Sequence, residues 1–213
     1  MYCPAPFEEQ RPEVLRQLIA AHPLATIVRL GPDGLAADHL PVLHVPADGD
    51  GGHGHLIGHV ARANPLWQAQ PDEELLLVFQ GPQTYISPNW YATKAEAGKV
   101  VPTWNYAVVH AHATLTPMHE PEAVLSILKR LTQRHEATQP HPWQVDDAPA
   151  DFTHKLLEHI VGVRLDIRRM QGKWKVSQNQ PAANRASVMT SLEAGKQPEG
   201  LAVADLVRRF SPN

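Results

Sequence analysis

The sequence predicts an antiparallel α+β domain with a barrel core. About six or seven strand patterns follow one another, mostly as hairpins, with helical patterns at the ends and in the crossings. Regular alternation of strands and helices is missing, which argues against a doubly wound parallel sheet. The 20 prolines are scattered rather than clustered, which favours many turns and strand edges over a disordered tract.

Length and composition exclude several classes of protein. The 213 residues can bury a large core, and the single cysteine cannot form an internal disulfide. The longest apolar run, residues 75–79, is far shorter than the roughly 20 residues that span a bilayer, and the first residues lack a signal-peptide pattern. We therefore expect a soluble, cytoplasmic protein without a membrane segment. The net charge of −3 and the absence of a basic stripe argue against an ordinary DNA-binding domain.

The first half of the chain predicts one helix followed by strands. The helix, over residues 8–22, has Pro12 in its first turn and ends before Pro23. Residues 31–34, Gly-Pro-Asp-Gly, form a strong turn signal between the arms of a hairpin. The predicted strands are 24–30, 35–45, 55–60, 74–80 and 84–86, with a glycine-rich loop over 48–54 and a short helix from Pro65.

The second half predicts a long strand, a second strand and four helices. Along residues 101–115, Trp104, Tyr106 and Val108 point to one face, and Asn105 and Ala107 point to the other. The predicted helices are 121–135, 151–158, 182–193 and 201–210, and the second strand is 160–170. We expect one domain over residues 1–193, with 194–213 as a helical extension of the same domain.

Two motif types favour structural interpretations. The loop 48–54 has neither the Lys-Ser/Thr of a P-loop nor a G-x-G-x-x-G between strand and helix, so we expect a solvated hairpin loop. The H-x-H pairs at 53–55 and 110–112 each share a strand face, but closed zinc sites usually need four N or S ligands. Cys3 lies at the terminus with no histidine placed near it. We expect no metal site.

The segment 59–65 has the chemistry of an anion-binding turn. A strand ends here and a helix begins, so free backbone N–H groups collect, and Arg62 adds a bidentate donor for a phosphate. The alternative is that Asn64 only caps the helix that begins at Pro65 and that Arg62 is solvated. Sequence alone leaves both interpretations open.

Three further segments, 85–91, 101–106 and 173–179, mix aromatic rings with amide, hydroxyl or ammonium groups. Each one alone is typical of core Trp and Tyr whose polar tips are hydrogen bonded. Together with the turn at 59–65, they predict one ligand that is aromatic at one end and phosphorylated at the other.

Five ordered motifs resemble the PaiB-type family of FMN-binding negative transcriptional regulators. They are MYCPAPF, GHVARANPLW, YISPNWY, VPTWNY and KWKVSQN, and the similarity extends to about residue 193. The resemblance implies an antiparallel split β-barrel with peripheral helices, similar to pyridoxamine-phosphate oxidase. It also implies FMN as the cofactor, a homodimer with FMN at the subunit interface, and a role in negative transcriptional regulation.

The resemblance also implies which residues contact the flavin. GHVARANP would hold the phosphate and ribityl end, the strand 39–42 the ring edge, and VPTWNY and KWKVSQN further groups, the last from the same or the partner subunit. The implied cofactor-binding residues are His39, Pro41, His59, Val60, Ala61, Arg62, Asn64, Thr103, Trp104, Asn105, Lys175, Gln178 and Asn179.

The resemblance leaves the activity open between a flavin-dependent oxidoreductase and a flavin or redox sensor. The cofactor performs the redox step in flavin catalysis, and no general base stands out, so no catalytic residue is predicted. One alternative is a direct DNA-binding repressor that uses the last two helices and Arg208-Arg209, although their connection, 194–200, exceeds a helix-turn-helix turn. Another is a haem or metal protein that uses the 13 histidines.

Overall fold

The computed structural model describes residues 1–31, 33–47 and 52–211. It is an α+β structure built on one antiparallel sheet, as the sequence predicts. The strands are β1 (Glu8–Glu9), β2 (Leu24–Gly31), β3 (Gly34–Pro41), β4 (Leu43–Val45), β5 (His55–Ala61), β6 (Leu75–Ile86), β7 (Thr103–Met118) and β8 (Ile160–Lys175). The helices are α1 (Pro12–Ala21), α2 (Lys94–Ala97), α3 (Pro121–Glu136), α4 (Ala150–Leu157), α5 (Ala182–Gly195) and α6 (Pro198–Phe210).

The sheet runs in the order β3-β2-β6-β7-β8-β5-β4, and β1 pairs with β8. Its strands divide between two compact units of the chain. The first unit comprises residues 1–18, 80–109 and 171–213, and the second comprises 19–79 and 110–170. The predicted boundary near residue 193 stays a prediction. None of the helices within the described ranges is long and apolar enough to cross a membrane.

The second unit contains the hairpin β2–β3 and the pairing of β5 with β8. Leu24 faces Pro41 at one end of the hairpin, and Gly31 faces Gly34 at the other, as the turn signal predicts. Pro32 and the glycine-rich residues 48–51 of the predicted loop lie outside the described residues. Helix α3 buries Ile127 and Leu131 against Ile57 of β5, the apolar stripe that its 3.6-residue period predicts.

The first unit packs helices against the ends of β7 and β8. Helix α1 buries Leu15 and Leu18 there. A Cβ built at Gly172 of β8 would lie 2.9 Å from the backbone oxygen of Glu9 as well as 2.3 Å from Leu15 Cδ2, so the close approach of these segments requires glycine. Helices α5 and α6 pack against each other and bury Leu192 and Val203. Asn184 of α5 and Lys175 of β8 line the same cavity, so α5 lies beside the end of β8, where the candidate site is.

The first helix begins later than predicted. It starts at Pro12 rather than at residue 8, because Glu8 and Glu9 pair with Lys173 and Gly172 of β8. The Glu9 carboxylate is buried and accepts hydrogen bonds from Arg11 Nε, Nη2 and backbone N–H. Burial raises the pKa of Glu9, but these hydrogen bonds and the Arg11 charge outweigh it and lower the pKa overall. A partner more than 160 residues away in the chain therefore overrides the local helical pattern.

Three other predicted boundaries were wrong. The strands predicted at 74–80 and 84–86 are one strand, β6, which continues through Gly81-Pro82. The strand predicted at 160–170 continues to Lys175, so KWK belongs to β8. The last two helices are longer than predicted, and only Lys196 and Gln197 separate them. Lys196, in the left-handed region at φ 52°, ends α5. The alternation along β7 is confirmed, with Asn105, Ala107, Val109 and Ala111 buried.

Candidate functional site

Arg62, at the end of β5 in the second unit, joins two neighbouring segments. Its Nε donates to Glu158 O at 2.7 Å and its Nη2 donates to Ile160 O at 2.9 Å. Its backbone N–H donates to His159 O at 2.8 Å. Two guanidinium donors therefore hold the junction of α4 and β8, and an anion at this turn would be bound by the remaining edge of the guanidinium.

Both polar groups of the Asn64 side chain form hydrogen bonds within the protein. Its Oδ1 accepts from Leu66 N at 2.8 Å and caps the short 3-10 helix Pro65–Gln68. Its Nδ2 donates to Asp38 Oδ1 at 2.7 Å, which ties the turn to β3. The capping alternative is therefore what the structure shows for Asn64. A four-residue 3-10 helix also presents little helix dipole to an anion.

Among the predicted cofactor residues of the second unit, His59 has a buried side-chain nitrogen that forms no hydrogen bond in the described structure. Its Nδ1 is buried, with no hydrogen-bond partner in the described part of the chain. Burial lowers the pKa of His59 below the ordinary value, so the neutral imidazole is favoured. The predicted backbone positions Val60 and Ala61 follow it in β5.

The predicted ring-edge residues His39 and Pro41 are both exposed on β3. Their strand lies close to β5, because a Cβ built at Gly58 would lie 3.1 Å from Pro41 O. With the hydrogen bond from Asn64 to Asp38, this contact brings the predicted residues of β3 close to β5 and the turn that follows it.

The first unit contains a cavity of about 340 Å³ at the ends of β7 and β8. Four predicted residues line it, namely Thr103, Asn105, Lys175 and Asn179. Other lining residues are Tyr91, Thr93, Lys99, Ser177 and Asn184. The walls are mostly amide, hydroxyl and ammonium groups, with one aromatic ring, which suits a ligand with a hydrogen-bonding edge.

Lys175 supplies the half-buried cation of this cavity. Its Nζ donates to Trp104 O at 2.9 Å and also to Thr103 Oγ1. Burial, together with the nearby Lys173 charge, lowers the pKa of Lys175. The ammonium is therefore held in place and partly desolvated, a state in which it interacts strongly with negative charge on a ligand.

Asn105 and Ser177 join the two strand ends beneath the cavity. Asn105 is 1% exposed, and its Nδ2 donates to Ser177 Oγ at 2.8 Å. Ser177 has φ 68°, a left-handed conformation that costs a non-glycine residue roughly 1–3 kcal/mol and persists only where the surroundings hold it. This turn directs the segment 177–181 to the cavity wall.

Two predicted residues of the first unit do not line the cavity. Gln178 accepts a hydrogen bond from Val176 N and donates one to Trp174 O, so it closes its own turn. Trp104 is 54% exposed, and its ring meets the Tyr85 ring edge to face with 6.2 Å between the ring centroids. Trp104 contributes only its carbonyl oxygen, which accepts from Lys175.

Sequence reasoning did not name nine of the residues that line the cavity, among them Tyr91, Thr93, Lys99, Ser177 and Asn184. Tyr91 and Ser177 stand inside the motifs YISPNWY and KWKVSQN, so those motifs could have indicated them. Tyr91 is buried, which raises its pKa and keeps the phenol protonated. Thr93, Lys99 and Asn184 had no local signal. Asn184 is 2% exposed and lies on α5, which carries no clear apolar stripe.

The arginines expected to serve a DNA-binding helix are engaged in ion pairs. Arg208 pairs with Glu193 and with Asp205, and Arg209 pairs with Asp205 at 3.6 Å. Arg209 also lies over the Phe210 ring. These carboxylates neutralise the charge that would bind DNA phosphates. The described residues contain no group of three His, Cys, Asp or Glu side chains arranged to bind a metal.

The comparisons with known proteins identify the family. Residues 1–169 match the model of the family described as "Putative FMN-binding domain". The chain belongs to this family. An uncharacterised protein of Aspergillus fumigatus is 33% identical over 252 residues, covering 98% of this chain and 97% of its own length. Protease synthase and sporulation protein PAI 2 of Bacillus subtilis is 28% identical and covers 97% of this chain and 96% of its own. The resemblance stated from the five motifs is thus confirmed.

Solved structures share the fold of this FMN-binding domain family member. The FAD and haem binding protein from Mycobacterium smegmatis aligns with a TM-score of 0.58 at 17% identity, covering 79% of this chain and 73% of its own. A flavocytochrome from Azotobacter vinelandii aligns with a TM-score of 0.58 at 14% identity, covering 79% of this chain and 69% of its own. The fold class predicted from the resemblance, an antiparallel split β-barrel with peripheral helices, is confirmed.

The residues present fit a flavin better in one unit than in the other. In the first unit, Lys175 and the amide and hydroxyl groups around it suit the polar edge of a ring, and the cavity volume falls within the roughly 300–1,000 Å³ of small-molecule sites. In the second unit, His59 Nδ1 has a free hydrogen-bonding position, whereas the Asn64 side chain has none. The prediction of phosphate binding at 59–64 stays a prediction.

Replacing Arg62 with alanine should lower both the free energy of unfolding and the affinity for FMN. The variant loses two hydrogen bonds to carbonyls at the α4–β8 junction, which should lower the free energy of unfolding by about 1–2 kcal/mol. A phosphate contact through the same guanidinium would add a loss of roughly 1.5–3 kcal/mol in FMN binding. Denaturant unfolding and FMN titration measure the two separately. Unchanged FMN affinity in a folded variant would remove Arg62 from the cofactor site.

Acid should destabilise the protein through histidines that are buried in the neutral form. The pKa of His59 is lowered in the folded state, so the unfolded chain binds the proton first as the pH falls below about 6.5. Stability is therefore present above that pH and is lost below it. Burial lowers the pKa values of His55 and His110 in the same direction. Denaturant unfolding at about pH 7.5 and 5.5 should show a smaller loss in His59→Gln than in the wild type or in the exposed-site control His154→Gln.

Proposed function

We propose that this protein binds FMN, with the polar edge of the flavin ring in the cavity at the ends of β7 and β8. The observation that carries the proposal is Lys175, a half-buried ammonium fixed by Thr103 and the Trp104 carbonyl among the hydrogen-bonding groups of that cavity. Support comes from the family, whose description names FMN, and from the two motifs, VPTWNY and KWKVSQN, that supply these residues.

The chain's own residues would orient the ligand and stabilise charge on it. Bound FMN supplies hydride and single-electron transfer. The Lys175 ammonium would stabilise negative charge on a ligand in the cavity, and the surrounding fixed dipoles would need no reorganisation. Asn105 and Ser177 hold the two strand ends together beneath the ligand, so the cation keeps its position. The protein would thus act as a flavin-dependent oxidoreductase or as a flavin or redox sensor.

We further propose a cytoplasmic homodimer with FMN at the subunit interface, and a regulatory role that does not require direct contact with DNA. The resemblance to the PaiB-type family supports the proposal of a dimer. The indirect role is supported by the net charge of −3 and by the ion pairs of Arg208 and Arg209.

The test is the purified protein's absorption spectrum and its response to added FMN. We expect flavin bands near those of free FMN, or quenching of FMN fluorescence on titration to a stoichiometry of one per subunit, and a dimer on light scattering. A colourless protein that binds no added FMN would overturn the proposal. A haem Soret band, or a metal found by elemental analysis, would instead favour the haem or metal alternative. A salt-dependent shift of its own upstream DNA would contradict the indirect role.

A further inference from the structure

Helix α5 lies outside the matched range of the family, residues 1–169, yet it contacts the cavity wall directly. The segment Trp90 to Thr93 forms part of that wall, through Tyr91 and Thr93. It begins at the last residue of the 3-10 turn Pro88–Trp90 and has no strand partner in the described structure. Local turn hydrogen bonds use the N–H groups of Trp90 and Tyr91 and the carbonyls of Tyr91 and Thr93. The other backbone polar groups of the segment need partners from elsewhere.

Two side chains of α5 hold this segment. Asn184 Oδ1 accepts from Thr93 N at 3.0 Å and from Thr93 Oγ1 at 3.1 Å. Ser187 Oγ accepts from Ala92 N at 3.1 Å and donates to Trp90 O at 2.6 Å. Four hydrogen bonds thus fix a loop that is not paired with any strand in the described structure.

The whole side-chain amide of Asn184 is hydrogen bonded at this position. It is 2% exposed, and its Nδ2 donates to Gln180 Oε1 at 3.2 Å, so both ends of the amide are used. A buried amide costs stability unless it is hydrogen bonded, and asparagine in the first turns of a helix forms such side-chain contacts to loops readily. The same amide lines the cavity. The contact therefore fixes the loop and the cavity wall at once.

We propose that Asn184 and Ser187 are positioning residues for the ligand of this cavity, acting through the segment Trp90 to Thr93. They set the place of Tyr91 and Thr93 against the Lys175 side of the cavity. Helix α6 packs on α5 and so supports the helix that carries Asn184 at the cavity wall. This inference rests on the proposed function, since the ligand is taken to be FMN.

The test uses Ser187→Ala and a matched serine on the same helix. Among the described residues, the Ser191 Oγ donates to Ser187 O alone, a carbonyl of its own helix, so Ser191→Ala leaves the loop untouched. FMN affinity should fall roughly tenfold in Ser187→Ala, the order expected for lost neutral hydrogen bonds, and should stay unchanged in Ser191→Ala. Asn184→Leu should have a larger effect. Asn184→Asp should recover part of it, because its carboxylate still accepts both Thr93 bonds.

Two further readouts separate positioning from simple stability. Visible circular dichroism of bound FMN reports the geometry around the ring, and it should change in Ser187→Ala but not in Ser191→Ala. Hydrogen exchange at the Ala92 and Thr93 amides, measured without FMN, should accelerate in Ser187→Ala and Asn184→Leu.

The outcomes decide the inference separately from the proposed function. Faster exchange with unchanged FMN affinity and unchanged dichroism would overturn the positioning role and leave a structural one. Unchanged exchange would show that α5 does not hold the loop and would overturn it as well. A wild-type protein that binds no FMN would overturn the proposed function, and the positioning role would fall with it whatever the exchange data show.

Discussion

Replacing Lys175 with methionine is expected to weaken FMN binding by roughly 10- to 150-fold, the equivalent of the 1.5–3 kcal/mol of a charge-assisted hydrogen bond. Methionine matches the apolar stem of lysine as far as its last carbon and lacks the ammonium. That ammonium is half-buried and held by Thr103 and the Trp104 carbonyl, so its charge is poorly screened by water. Quenching of FMN fluorescence on titration measures the affinity.

The matched control is Lys155→Met, which removes an exposed ammonium from the last turn of α4 in the second unit. Its FMN affinity should equal that of the wild type. Thermal unfolding of the apo-proteins checks that both variants fold. Equal affinities in Lys175→Met and Lys155→Met would place the charged contact of the flavin away from this cavity.

Replacing Gly54 with alanine is expected to lower the free energy of unfolding by about 3–5 kcal/mol, from backbone strain and overpacking together. Gly54 has φ 74°, in the left-handed region that a residue with a side chain rarely adopts. A Cβ there would lie 2.2 Å from Val45 O and 3.0 Å from Ala47 N. Both are backbone atoms, so β4 itself would have to move. Denaturant unfolding with a two-state fit measures the loss.

Gly98→Ala separates the two causes. Gly98 has φ 64°, close to that of Gly54, but a Cβ there would meet no heavy atom of the described residues within 4 Å. This control should cost only the conformational strain, about 1–2 kcal/mol. The difference between the variants is the cost of the contact with β4. Equal losses of unfolding free energy would mean that β4 can shift at Val45 without cost and that the contact contributes nothing to the loss in Gly54→Ala.

Much of the fold could be predicted from local patterns. The period-two alternation of β7 and the period-3.6 stripe of α3 each need only neighbouring residues to be recognised, and the structure confirms both. The turn signals around Gly31 and Gly34 work for the same reason. The errors fall where a distant partner decides. Glu8 and Glu9 are not helical because they pair with β8 as a short strand. Strand β6 continues through Gly81-Pro82, where the local pattern predicts a break.

The site divides in the same way. Motif resemblance indicated Thr103, Asn105, Lys175 and Asn179, which the structure brings together around one cavity. It could not show that the Gln178 side chain would bond to the backbone of its own turn. Nor could it show that the Asn64 side chain would cap the 3-10 helix and bond to Asp38. A motif gives residue types in order, whereas hydrogen-bond partners depend on which segments meet.

The sequence by itself determined the fold class, the family and the segments that carry the polar and aromatic groups. Tertiary structure decided which of those groups face a common cavity and which are already used by the protein. Asn184 shows why. Its two Thr93 hydrogen bonds join residues 91 positions apart, and no local periodicity, cap or turn pattern encodes such a pair. Burial makes those bonds necessary, and burial exists only once the chain has folded.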